Sequence, residues 1–138
     1  MSARIVRLGT PRARNEGPRI GTVRRPPRGV PKSEFARGNW YDVWFPNLAP
    51  SEVAVKLGLS AKTPAQWNKF ARRYRSEMAT PATQHALELL AALSHTTNFS
   101  VGCYCEDESR CHRSILRELL LENGARLEAR GRRKRAES

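Results

Sequence analysis

Apolar positions along this chain change period several times, and each change marks an element. Phe99, Val101, Cys103 and Cys105 fall at spacing two, the period of a strand with one buried face. From His112 the spacing becomes helical. Ile115, Leu116, Leu119 and Leu120 form a stripe and Gly124 supplies the stop. This segment predicts a strand, a short acidic loop through Glu106, Asp107 and Glu108, and a helix. Upstream, Arg4–Leu8, Ile20–Arg24 and Trp40–Phe45 read as three further strands. Ser51, Thr63 and Thr80 each stand before a helical pattern as N-caps, with Pro64 and Pro81 at first helical positions. The first of these helices is expected to run to Gly58. Trp67, Phe70, Tyr74 and Met78 make one apolar face, and Leu87, Leu90 and Leu93 another. His85 and His95 show no ligand spacing and read as surface residues.

Strands alternating with helices predict an α/β protein, as a single three-layer domain with a small, mainly parallel sheet of about four or five strands flanked by helices. It would span residues 1–125. Gly9 to Pro18 reads as a loop. Arg25-Pro-Pro-Arg-Gly-Val-Pro31 can be neither helix nor central strand. Its prolines hold Arg24, Arg25 and Arg28 on a stiff connection, and a guanidinium fork suits phosphate or carboxylate. Asp42 is the one charge in its strand-like run; if that strand is central, one of these arginines is its expected partner.

Charge changes the picture at the ends. The net charge is +12; residues 1–38 carry +8, residues 125–138 carry +4, and the stretch between is neutral. Basic ends attract polyanions without sequence preference, so nucleic acid is an expected alternative partner. Residues 126–138 lack periodicity and are expected to form a disordered tail. No apolar run approaches the roughly 20 residues of a membrane span, so no membrane partner is expected. The arginines near the start are not followed by an apolar segment, which argues against a secretory signal. Three cysteines within nine positions do not make a disulfide framework, and a reducing cytoplasm is the expected location.

The cysteines carry the candidate chemistry. In open α/β sheets ligands sit outside the carboxyl ends of strands. Cys105 and Glu106 would lie at such an end, and Cys111, His112 and Arg113 on the first helical turn, where free N–H groups favour anions. Cys105 or Cys111 could act as nucleophile and His112 as acid or base. Arg24, Arg25, Arg28, Asp42, Glu106 and Arg113 would bind a small anionic ligand, nucleotide-like or phosphorylated. The pattern serves an enzyme or a binding protein alike, and inert cysteines in an interaction module are the plainer alternative. No cofactor is implied.

Zinc on Cys103, Cys105, Cys111 and His112 is disfavoured, because neither pair has knuckle spacing and adjacent helical residues diverge by about 100°. No metal is therefore expected. A phosphatase-type loop does not start at Cys103 or Cys105, since Ser109 and Cys111 stand where each would need its arginine. A redox pair between Cys105 and Cys111 is sterically reasonable, and Cys103 is expected to be a small buried apolar group.

Four pieces together resemble a known family. They are Pro-Arg-Gly-Val at Pro27–Val30, Leu48-Ala-Pro-Ser51, Trp67 with Phe70 and Tyr74, and Cys105-Glu106 followed by Cys111-His-Arg113. The set resembles the domain-of-unknown-function 488 family in its YeaO-like branch, across roughly residues 3–125. The resemblance implies a small α/β protein and supplies site positions without a reaction.

Overall fold

Strand β4 (Phe99–Cys103) lies at the middle of the sheet. It pairs with β1 (Ala3–Arg7) on one side and β2 (Arg19–Gly21) on the other, and β3 (Val43–Trp44) adds outside β2. The order β1-β4-β2-β3 is parallel throughout. The computed structural model describes residues 1–129. Beyond β1 the returning chain adds a further bridge, Leu127 beside Ala3. The sheet thus has the expected size and direction.

Four helices follow the capping residues. α1 (Glu52–Ser60), α2 (Pro64–Glu77) and α3 (Pro81–Leu93) begin after Ser51, Thr63 and Thr80, whose side chains accept from Ala54, Gln66 and Thr83 N–H groups. α4 (His112–Glu122) follows Cys111. Gly124, with φ of +88°, takes the left-handed conformation that ends it. Ser51 also ties two helices together. Its N–H and hydroxyl both donate to the Glu77 carboxylate, near the end of α2. Ser51→Ala is expected to cost about 1–2 kcal/mol, read as a shift of the urea midpoint at constant slope.

Chain direction explains the layers. The steps β1 to β2 and β2 to β3 move one way across the sheet; β3 to β4 and β4 to the Leu127 bridge move the other way. Right-handed crossovers then place the two kinds of connection on opposite faces. All four helices pack on the face of Ala3, Ile5, Ile20, Phe99 and Val101. The other face is covered by connections, which bring Glu16 to Ser100 and Tyr41 against Gly21.

Several boundaries differ from expectation. All five β4 residues are buried, where alternation predicts one buried face, because β4 is central and covered on both sides. The Trp40–Phe45 strand shrinks to two residues: Asn39 takes a positive φ of 63°, and Trp40 and Tyr41 turn into the loop layer. Asp42 is at the exposed sheet edge and not inside a central strand. It pairs with Arg12 at 2.8 Å and accepts from the Arg19 N–H, so its partner is none of the proline-loop arginines. Leu93 is exposed at the end of the α3 stripe.

The loop layer has one buried ion pair at its centre. Glu16 and Arg19 side chains are 2% and 1% exposed, with Nε to Oε2 at 2.8 Å. Arg19 also donates to the carbonyls of Thr10, Pro11 and Asn39, and Glu16 accepts from Ser100 Oγ and Ala13 N–H. Burial alone would raise the Glu16 pKa; the bonds from Arg19, Ser100 and Ala13 outweigh it and hold the group at about 2.

Candidate functional site

At its carboxyl end β4 leaves toward the helices, while β1 and β2 leave toward the loop layer. Such a divergence opens a crevice. Tyr104 and Cys105 follow β4 here. The turn Glu108–Arg110, begun by Asp107 accepting from the Ser109 N–H, brings the chain round to the start of α4.

Cys105 is exposed, at a cleft of about 60 Å³ bordered by Pro50, Val55, Leu59, Phe70 and Arg110. Cys103 and Cys111 are buried behind it, with their sulfurs 2.7 Å apart. The close sulfur contact therefore joins Cys103 to Cys111, where the sequence points to Cys105 with Cys111. Cys103 is buried as expected, yet it touches the cluster.

The Cys105 pKa is pushed down by the neighbouring Cys103 and then Cys111 thiols, against the opposing effect of burial, with Arg113 adding attraction. The Cys103 thiol is pushed up by the same contact with Cys105. The Cys111 thiol is also raised: contact with Cys103 works the other way but is outweighed by Cys105 and burial.

His112 and Arg113 are 7% and 3% exposed; His112 and Cys111 form part of the wall of the Cys105 cleft, and Arg113 does not. His112 Nε2 lies 2.9 Å from the Thr22 carbonyl. That oxygen can only accept, so Nε2 carries the proton and Nδ1 faces Cys111 Sγ at 3.6 Å. The ring packs edge-on against Tyr74 at 5.4 Å. Burial lowers its pKa to about 4, so it is neutral at pH 7. Tyr74 in turn donates to the Leu48 carbonyl, which gives two of the family-like pieces one core role. Arg113 donates to the Cys105 carbonyl at 2.6 Å, while its Nε is buried without a hydrogen-bond partner.

Arg24 donates to the carbonyl of Pro50, a wall of the Cys105 cleft. Arg25 pairs with Glu52. Arg28 lines a separate hollow on the Tyr104 side, and Glu106 is exposed. The proline loop and the cysteines thus share one edge of the sheet. Asp42 precedes β3 and lies at the opposite edge, beside the start of β2. Arg110 was not singled out by sequence reasoning, although a cation directly before Cys111-His112 is a readable signal. Thr22 was missed as well, because only the fold brings it to His112.

The sulfurs of Cys103 and Cys111 and a ring nitrogen of His112 lie within 4.8 Å of one another. Two thiolates on a tetrahedral zinc stand about 3.8 Å apart, from Zn–S bonds of about 2.3 Å. The sulfurs as held stand closer than that, at 2.7 Å. The basic amino-terminal segment is partly neutralised: Arg4, Arg12, Arg19, Arg25 and Arg37 pair with carboxylates. The run Arg130–Arg135 of the expected tail lies outside the described residues. Among the described residues no helix is long and apolar enough to cross a membrane.

A parallel α/β domain with a cysteine-centred crevice is thus defined. Residues 3–124 match the family model DUF488-N3a, described as the active DUF488-N3 subclade, and the chain belongs to the DUF488 family. The YeaO-like branch is compatible with this match. No curated protein and no solved structure matches the chain.

Proposed function

We propose that this chain is a thiol enzyme acting on a small anionic ligand, with Cys105 as the reacting sulfur. The observation that carries this reading is the exposed Cys105 thiol at a cleft it shares with Arg110, Cys111 and His112, its pKa pushed down by the neighbouring thiols. A thiolate is the nucleophilic form of cysteine. Here it would add to an electrophilic centre of the ligand, with Arg110 attracting the anionic group at the rim. Cys103 and Arg113 act through Cys105, while Cys111 and His112 line the same cleft. The description of the matching subclade as active supports an enzyme over a passive binder.

Alkylation followed by mass spectrometry tests this. Cys105 should react first with iodoacetate, and at a nearly constant rate from pH 8 down to pH 5. An ordinary thiol slows about tenfold per unit below its pKa of about 8.5. Arg110→Ala should slow iodoacetate more than neutral iodoacetamide. Ordinary pH dependence at Cys105, or earlier labelling of Cys103 or Cys111, would defeat the reading.

A further inference from the structure

The cleft at Cys105, about 60 Å³, holds a reacting group and little more. Small-molecule sites usually measure about 300–1,000 Å³. On the other side of the β4 end, Tyr104 faces a hollow of about 440 Å³. We infer that this hollow binds an aromatic ring carrying a phosphate, the ring against Trp40 and Tyr104 and the phosphate on Arg7 and Arg28. This deepens, and rests on, the reading of the sheet's carboxyl edge as a ligand site.

Both rings are fixed before any ligand arrives. The Trp40 backbone N–H donates to the Phe35 carbonyl, and the neighbouring Asn39 carbonyl accepts from the Gly9 backbone N–H at the end of β1. Gly9 sits directly under the indole: a Cβ there would come within 2.8 Å of Trp40 Cζ3. Its φ of +86° is a second reason for glycine. Tyr104 is anchored through its hydroxyl to the Arg25 carbonyl at 2.8 Å. The two rings meet edge to face at 6.0 Å.

The charges complete the site. Arg7 and Arg28 line the hollow and are exposed, and no carboxylate lines it. Neither guanidinium has a hydrogen-bond or ion-pair partner among the described residues, unlike Arg12, Arg19 and Arg25. Rings that stack and guanidinium groups that take phosphate are the elements of nucleotide recognition.

The ligand chemistry is that of a nucleoside phosphate, either free or at the end of a nucleic-acid strand. Calorimetry on the full chain should use adenosine 5′-monophosphate, adenosine, ribose 5-phosphate and a short 5′-phosphorylated oligodeoxynucleotide. The monophosphate should bind with Kd below about 1 mM, and adenosine and ribose 5-phosphate about tenfold or more weaker. Arg7→Ala with Arg28→Ala should remove the phosphate's advantage over adenosine, with the circular dichroism spectrum unchanged. Tryptophan quenching on binding should disappear in Trp40→Phe. Tighter binding of the oligonucleotide, lost in the double arginine variant, would support the site with a strand end as its source. No monophosphate binding, equal binding of ribose 5-phosphate, or monophosphate binding undiminished by loss of both arginines overturns it. Binding with an inert Cys105 would retain the hollow and refute only the thiol reading; a reactive Cys105 without binding would do the reverse.

Discussion

Arg19→Met should lower the unfolding free energy by about 3–5 kcal/mol, the usual cost of stranding one partner of a buried ion pair. The substitution leaves the Glu16 carboxylate under the loop layer with only Ser100 Oγ and Ala13 N–H as donors. It also strips the carbonyls of Thr10 and Asn39 of their arginine donor. These groups belong to the connections covering the sheet face without helices, so the variant should loosen the layer that positions Trp40. Urea unfolding followed by circular dichroism measures the loss. Glu16→Met in the same background should recover part of it, because no buried charge then remains unpaired. A single-variant loss under about 1 kcal/mol would mean that water reaches the pair, contrary to its burial.

His112 should make stability fall in mild acid. Its pKa is lowered from 6.5 to about 4 by burial. Below pH 6.5 the unfolded chain takes up a proton that the folded chain refuses, so unfolding is favoured. The contribution is complete above pH 6.5 and is lost as pH falls toward 4, on the order of 3 kcal/mol in all. Cys105, with its pKa also depressed, slopes the same way over this range. The measurement therefore belongs in the Cys105→Ser background. There the melting temperature should still drop between pH 7 and pH 4.5, and His112→Gln should flatten most of that drop. Replacing the exposed His85 and His95 by Gln should leave it in place. Glu16 adds a later loss, beginning below its ordinary 4.5 and continuing as pH falls through about 2. A curve unchanged by His112→Gln would show that the ring is not held neutral.

The two variants probe features with very different visibility in the sequence. Helix starts are legible because they are local: a Ser or Thr followed by its own third-residue N–H is a cap in any context. The β4–loop–α4 passage is legible for the same reason, through a change from spacing two to helical spacing. Strand ends are not. Trp40 and Tyr41 have strand-forming side chains, yet whether they pair depends on the neighbouring strand, which offers only three residues. The Glu16–Arg19 pair passes unnoticed in a Gly- and Pro-rich loop, since nothing local says that this loop lies on a sheet face.

The candidate site divides in the same way. The grouping of Cys105, Cys111, His112 and Arg113 follows from one short segment and is readable there. Their exposure is not readable: His112 is buried because Tyr74 and Thr22, 38 and 90 residues away in sequence, pack against it. The choice of Cys103 as the neighbour of Cys111 likewise depends on how tightly the Glu108–Arg110 turn closes. The sequence alone determined the α/β class, the helix starts and which segment holds the thiols, because those depend on period, caps and residue type over a few positions. Tertiary structure alone decided which thiol faces solvent, which arginines are left unpaired and which sheet face lacks helices. Burial and charge pairing are set by groups far apart along the chain, and the handedness of the crossovers decides where each of them lands.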